Sequence, residues 1–173
     1  MANNITVERS TKETAYFVAK NMRERDFEEV AAVNYLTDRE ELATCLAERY
    51  GDFPMSFTIG RDGVPIATLS AINVHPGLWS VGMWATEDFP KIGKFMTRFI
   101  SNEFFGAMRA AGMHRVECKS IVGYDSVHKW LLHAGFRQGA TEEKYGAQGQ
   151  DFITFEWVEG MDWPRDYQPP AED

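Results

Sequence analysis

The chain has 173 residues, 44% of them hydrophobic and 25% charged, which suits one domain with a real core. Its net charge of −8 weighs against a nucleic-acid surface, where lysines and arginines must neutralise phosphates, and no apolar run approaches the ~20 residues of a membrane helix. Half of that charge, −4, sits in the last fifteen residues, "EGMDWPRDYQPPAED", so the rest of the chain is only mildly acidic.

The N-terminal "MANNITVERS" has no basic stretch leading into an apolar one, so nothing suggests secretion. Cys45 and Cys118 fall in apolar-patterned segments and read as reduced core residues of a cytoplasmic protein. Ile5–Arg9 alternates as a short strand. Ser10 to Glu13 has the spacing of a capping box, and Ala15, Val18, Ala19 and Met22 follow at helical intervals. Thr37 to Glu40 repeats that spacing and opens a helix with Leu42, Cys45 and Leu46 inward, stopped at Gly51.

Strand grammar comes next. "MSFTIG" and "VPIATLSAI" flank Asp62-Gly63, a strong hairpin signal, and "LWSVGMWA" (78–85) alternates beyond the break at His75-Pro76-Gly77. This predicts a three-stranded meander. Pro90 then opens a long helix, in which Ile92, Phe95, Met96, Phe99, Ile100, Phe104, Ala107 and Met108 keep helical spacing as far as Gly112. "HRVECKS" (114–120) is a strand, "YDSVHKWLLHAG" a helix, and "FRQGATEEKY" and "DFITFEWV" a closing strand pair. The Ala134-Gly135-Phe136 corner places Gly135 at a left-handed helix end and turns Phe136 back into the core.

That element order, with "VHKWLLHAGF" ahead of the terminal strand pair, resembles the GNAT acetyltransferase superfamily over residues 5–158. Within it, "MWATEDFPKIG", "GMHRVECKS" and "GQDFITFEWV" look like the GNAT-like proteins of tailed bacteriophages, some of them internal virion proteins. The resemblance implies an α+β fold: a mixed, mostly antiparallel sheet flanked by helices and splayed between its fourth and fifth strands. Residues 1–158 form that domain, and 159–173 an acidic, Pro-containing tail in which Trp163 and Tyr167 are candidate partner anchors.

The resemblance also implies acetyl-CoA as co-substrate, with an amine of a protein or small molecule as acceptor. Its cofactor-binding positions are Met83, Trp84 and Ala85 on the fourth strand and Lys91, Ile92, Gly93 and Lys94 where the long helix begins. A helix start offers unpaired N–H donors and a positive dipole end to a pyrophosphate. The family's loop reads Arg/Gln-x-x-Gly-x-Gly/Ala. Aligned on Gly93, the Arg/Gln position holds Asp88 and the first glycine is Lys91. The family's catalytic tyrosine position holds Leu131, as in some N-terminal-acetylating branches, and its asparagine position holds Tyr124.

Amine acylation needs a base for the amine proton and a donor to the thioester oxygen. Glu87 at the strand end is the candidate base, and equally a helix-entry carboxylate; His75 is a turn residue first and a base second. Tyr124 is the candidate acid. His114, Cys118, His128 and His133 lack metal-ligand spacing, so no metal is expected. Three functions follow: an acyl-CoA N-acyltransferase, a catalytically silent phage virion or assembly protein, or an inhibitory binder of a host protein. Each is placed in the host cytoplasm or the virion.

Overall fold

One seven-stranded sheet, in the order β1-β2-β3-β4-β5-β7-β6, organises the computed structural model, which describes residues 4–161. β1 (Ile5–Arg9), β2 (Ser56–Arg61), β3 (Val64–His75) and β4 (Leu78–Ala85) pair antiparallel. β5 (Arg115–Ile121), β7 (Phe152–Val158) and β6 (Arg137–Glu142) form a second antiparallel group. The two groups join where β4 runs parallel to β5. This is the mixed, mostly antiparallel α+β architecture expected, with its discontinuity between the fourth and fifth strands. The β2–β3 hairpin turns on Asp62 and Gly63, at φ 52° and 81°, as the Asp-Gly pair predicts. Trp163 and Tyr167 lie outside the described residues.

Helices cover both faces of the sheet. α1 (Lys12–Lys20), α2 (Glu24–Asn34) and α3 (Arg39–Tyr50) lie on one side, where Val18, Ala19, Leu42 and Leu46 pack around Trp84 of β4. α4 (Gly93–Phe99), a π-helical turn (Ile100–Phe104), α5 (Phe105–Ala110) and α6 (Asp125–His133) cover the other side. There Met96, Phe105 and Met108 meet Leu69, Val116 and Phe155 of the sheet. Successive β4 residues serve opposite faces: Trp84 belongs to the α1/α3 cluster and Ala85 to the α4/α5 cluster.

Three local expectations are corrected. α1 and α3 are capped one residue later than the Ser10 and Thr37 boxes predict. Thr11 accepts from Thr14 N (3.2 Å) and Asp38 from Glu41 N (2.9 Å). Ser10 is buried, its hydroxyl committed to Thr58 Oγ1 at 2.9 Å, so it cannot cap. Pro90 lies in a 3-10 turn (Phe89–Lys91), and the α-helix begins only at Gly93. The third correction is α2 itself, a helix of eleven residues in a stretch that the sequence pattern left unassigned.

α5 and α6 both end on positive-φ glycines. Gly112 (φ 86°) ends α5, with Met113 N donating to Met108 O at 3.0 Å and Gly112 N to Arg109 O at 2.9 Å. Gly135 (φ 99°) ends α6 in the same way, with Phe136 N on Leu131 O and Gly135 N on Leu132 O, both at 3.1 Å. Phe136 thereby drops into the core against Phe105, ring centroids 5.6 Å apart. Gly135→Ala forces a side chain into that backbone region. It is expected to cost about 1–2 kcal/mol in a chemical denaturation experiment, with the fold retained.

Candidate active site

β4 and β5 hold together over three register pairs, Leu78–Arg115, Trp79–Val116 and Ser80–Glu117, and then separate. A cleft of about 270 Å³ fills the gap beyond. Gly82 lines it, and a side chain added there would meet nothing within 4 Å. Beneath lies an apolar cavity of about 50 Å³ lined by Met83, Phe105, Cys118, Leu131 and others.

The end of β4 turns its peptide groups into this gap. Ala85 N donates to Asp26 Oδ2 (2.8 Å) and Ala85 O accepts from Arg23 N (2.9 Å), whereas Thr86 N donates back across β3 to Ile66 O (2.8 Å). Peptide groups alternate sides along a strand, so the N–H and C=O of Met83, two residues before Ala85, also face the gap.

α2 lies along the cleft with Asp26, Glu29, Val30 and Val33 on the lining face. Asp26, 4% exposed, is fully engaged: besides Ala85 N it takes the Arg23 guanidinium (2.9 and 3.0 Å) and the Tyr124 hydroxyl (2.6 Å). Glu29 reaches the opposite strand. Its Oε2 accepts from both Ser120 Oγ and Ile121 N at 2.7 Å. Burial pushes the Glu29 carboxyl up to about 7, against the two hydrogen bonds, which pull it down. Behind Ser120 stands His128 of α6, its Nε2 3.2 Å from Ser120 Oγ and 3.1 Å from Ile121 O. Burial holds that imidazole below the usual histidine range. Burial, and then the hydrogen bond to Asp26, push the Tyr124 hydroxyl well up, and burial does the same to the Cys118 thiol.

At the helix entry, the 3-10 turn uses the N–H groups of Lys91 and Ile92, on Asp88 O and Phe89 O. The first N–H in the α4 ladder is that of Met96, on Ile92 O at 2.9 Å, so those of Gly93, Lys94 and Phe95 precede it. Lys94 is exposed, and Lys91 pairs with Asp88 at 2.7 Å.

No family model and no curated protein matches the sequence. Solved structures do match. A GNAT-family acetyltransferase from Bacillus anthracis superposes with a TM-score of 0.66 at 10% identity, covering 91% of this chain and 96% of that one. A ribosomal-protein-alanine N-acetyltransferase from Brucella melitensis gives 0.64 at 16% identity over 88% and 99%. A putative acetyltransferase from Salmonella typhimurium, solved with its cofactor acetyl-CoA, gives 0.62 at 16% over 96% and 98%. The fold is that of the GNAT acetyltransferases.

The expected site residues fall in different places. Met83 and Trp84 line the cleft, Met83 by its backbone and Trp84 with its indole in the α1/α3 core. Ala85, beside them, has its N–H on Asp26. Lys91, Ile92, Gly93 and Lys94 stand at the long-helix entry, where Ile92 is a core residue, 1% exposed. Tyr124 lines the cleft, but its proton is held on Asp26. Glu87 is exposed and is not among the residues lining the cleft, and His75 is exposed at the far end of β3.

Asp26 and Glu29 were not singled out by sequence. The signal was present in "RERDFEEVAAVN", where Asp26, Glu29, Val30 and Val33 fall at i, i+3, i+4 and i+7. An acid repeating in register with valines marks a carboxylate on the inward face.

The two acids predict opposite behaviour. Asp26→Ala strands a buried N–H, a phenol and a guanidinium, and is expected to cost about 3–5 kcal/mol by urea denaturation. Glu29→Gln keeps the acceptor for Ser120 and Ile121 and removes a desolvated charge. Because the folded carboxyl titrates near 7, above the 4.5 of a free glutamate, the native state binds the extra proton between those values and stability falls as pH rises through them. The Gln variant is therefore expected to melt higher than the parent at pH 8, and the difference to vanish at pH 4.

Proposed function

We propose that the protein is an acyl-CoA-dependent N-acyltransferase, moving an acetyl group from acetyl-CoA to a primary amine of a protein or small molecule. The observation that carries this reading is the Met83 peptide group, aimed into an open gap between two splayed parallel strands. An extended pantetheine-like chain completes such a gap as a missing strand would, and a thioester carbonyl there meets a fixed N–H donor where negative charge develops. The N–H groups of Gly93, Lys94 and Phe95 fit a pyrophosphate, and Lys94 adds a cation free to swing. The same reading carries the tailed-phage likeness, and with it host proteins as the acceptor class and the host cytoplasm as the location.

One observation favours a second reading. With Leu131 in the position of the family's tyrosine and the Tyr124 proton held on Asp26, the leaving thiolate has no obvious acid. A GNAT-fold virion or assembly protein that keeps the cleft without turnover, or a binder that blocks a host protein, needs none.

Calorimetric titration of acetyl-CoA separates these readings. Micromolar binding is expected, weakened at least ~10-fold at low salt in a Lys91→Glu, Lys94→Glu double variant, whose reversed charges would face the pyrophosphate across partly screened distances. No heat at millimolar ligand would retire the acyltransferase and leave the virion or assembly protein and the binder.

A further inference from the structure

Among the groups lining the cleft, most are already committed. Asp26 accepts from three partners. Glu117 is paired with Arg115 at 3.1 Å, and Lys119 with Glu142. Tyr124 and Cys118 are both pushed up and keep their protons. His128 Nε2 lies against Ile121 O, which can only accept, so that nitrogen carries the hydrogen and has no lone pair to give.

Glu29 differs from all of these. Both of its hydrogen bonds converge on Oε2, from Ser120 Oγ and Ile121 N, which leaves the lone pairs of Oε1 uncommitted in a cleft-lining side chain. The bonds also fix its direction. Ser120 Oγ gives its hydrogen to Glu29, and His128 Nε2 shares its one hydrogen between Ile121 O and Ser120 Oγ. Three side chains from α2, β5 and α6 thus form one oriented chain ending on a carboxylate.

We propose that Glu29 is the general base that takes the proton of the acceptor ammonium, with Ser120 and His128 as positioning residues; this rests on the acyltransferase reading above. Glu29 Oε1 removes one proton from the ammonium. The freed nitrogen lone pair forms the bond to the thioester carbon, the C–S bond breaks, and its electron pair leaves on sulfur. A second nitrogen proton neutralises the thiolate, and Glu29 returns its own to water. Among charged neighbours, Asp26 raises the readiness of Glu29 to hold a proton and Arg25 lowers it, so a base near neutrality results from burial set against defined partners.

The test has a spectroscopic arm and a kinetic arm. In wild type, ¹³C NMR of the glutamate side-chain carboxyls should show one carboxyl titrating near 7. That signal should be absent in Glu29→Gln and moved to higher pH in Ser120→Ala, which loses a bond favouring the ionised form. In the kinetic arm, with acetyl-CoA and a peptide bearing a free N-terminal amine, Glu29→Gln should retain acetyl-CoA affinity. It should lose transfer about 100- to 10,000-fold, together with the ascending limb of the pH–rate profile. Ser120→Ala should shift that limb upward. A carboxyl near 7 that survives in Glu29→Gln, or its absence from wild type, overturns the assignment. So does acetyl-CoA binding with transfer unchanged in Glu29→Gln. Failure of the wild type to bind acetyl-CoA at all defeats the acyltransferase reading instead.

Discussion

Parting two neighbouring strands of a sheet exposes backbone groups that would otherwise pair, and the rest of this molecule is arranged around that cost. β4 and β5 share three register pairs and then diverge, so every inward N–H and C=O beyond Ser80 and Glu117 needs another partner or a ligand. α2 supplies two of them. Asp26 takes Ala85 N on one strand and Glu29 takes Ile121 N on the other, so one helical turn bearing two carboxylates stands in for the missing ladder. The Met83 peptide group, between the paired segment and the Asp26 clamp, is left to face the cleft.

The same two contacts explain why the acids behave so differently. Asp26 sits among a guanidinium, a phenol and a peptide N–H, and it anchors the end of β4 to the start of α2. That junction is reinforced by Arg23 N on Ala85 O and by the stacking of Arg23 over Phe89, 5.0 Å from the ring centroid. Glu29 has only neutral donors, and burial disfavours its ionised form there. Structural and chemical duties are thereby divided between residues three positions apart.

How much of this was legible from sequence depends on which signals are local. The Asp62-Gly63 hairpin and the Gly112 and Gly135 helix ends each rest on contacts within a few residues, and each stands as read. The long apolar helix starts later than read, at Gly93, and passes through a π-helical turn at Ile100–Phe104. α2 was not legible. Its inward stripe mixes acids with valines, so composition hid a face that periodicity alone would have marked. The capping residues were displaced by one because Ser10, Thr11 and Asp38 are all competent caps. Only the tertiary bond of Ser10 to Thr58 decides between the first two. The cleft acids act on segments far along the chain, with Glu29 bonded to residue 120 and Asp26 to residue 124. No spacing rule within a single element finds such pairs.

The helix-entry loop shows why a departure in sequence need not be a departure in geometry. Aligned with the GNAT pattern, Asp88 and Lys91 look like losses, an acid and a side chain where the pattern has a basic or amide group and a glycine. In the fold the two pair with each other on the surface, so the acid's charge is balanced locally by the residue that stands at the pattern's glycine position. Gly93, the one position retained, is not sterically obliged: an added Cβ would meet only the Phe89 ring at 3.8 Å, an ordinary contact. On the proposed acyltransferase reading, the donors to the pyrophosphate are backbone N–H groups ahead of Met96, and backbone donors are indifferent to the side chains that carry them. What the loop has to preserve is the direction in which α4 starts. The 3-10 turn at Phe89–Lys91, with Ile92 buried beneath it, sets that direction through the core rather than through the signature residues.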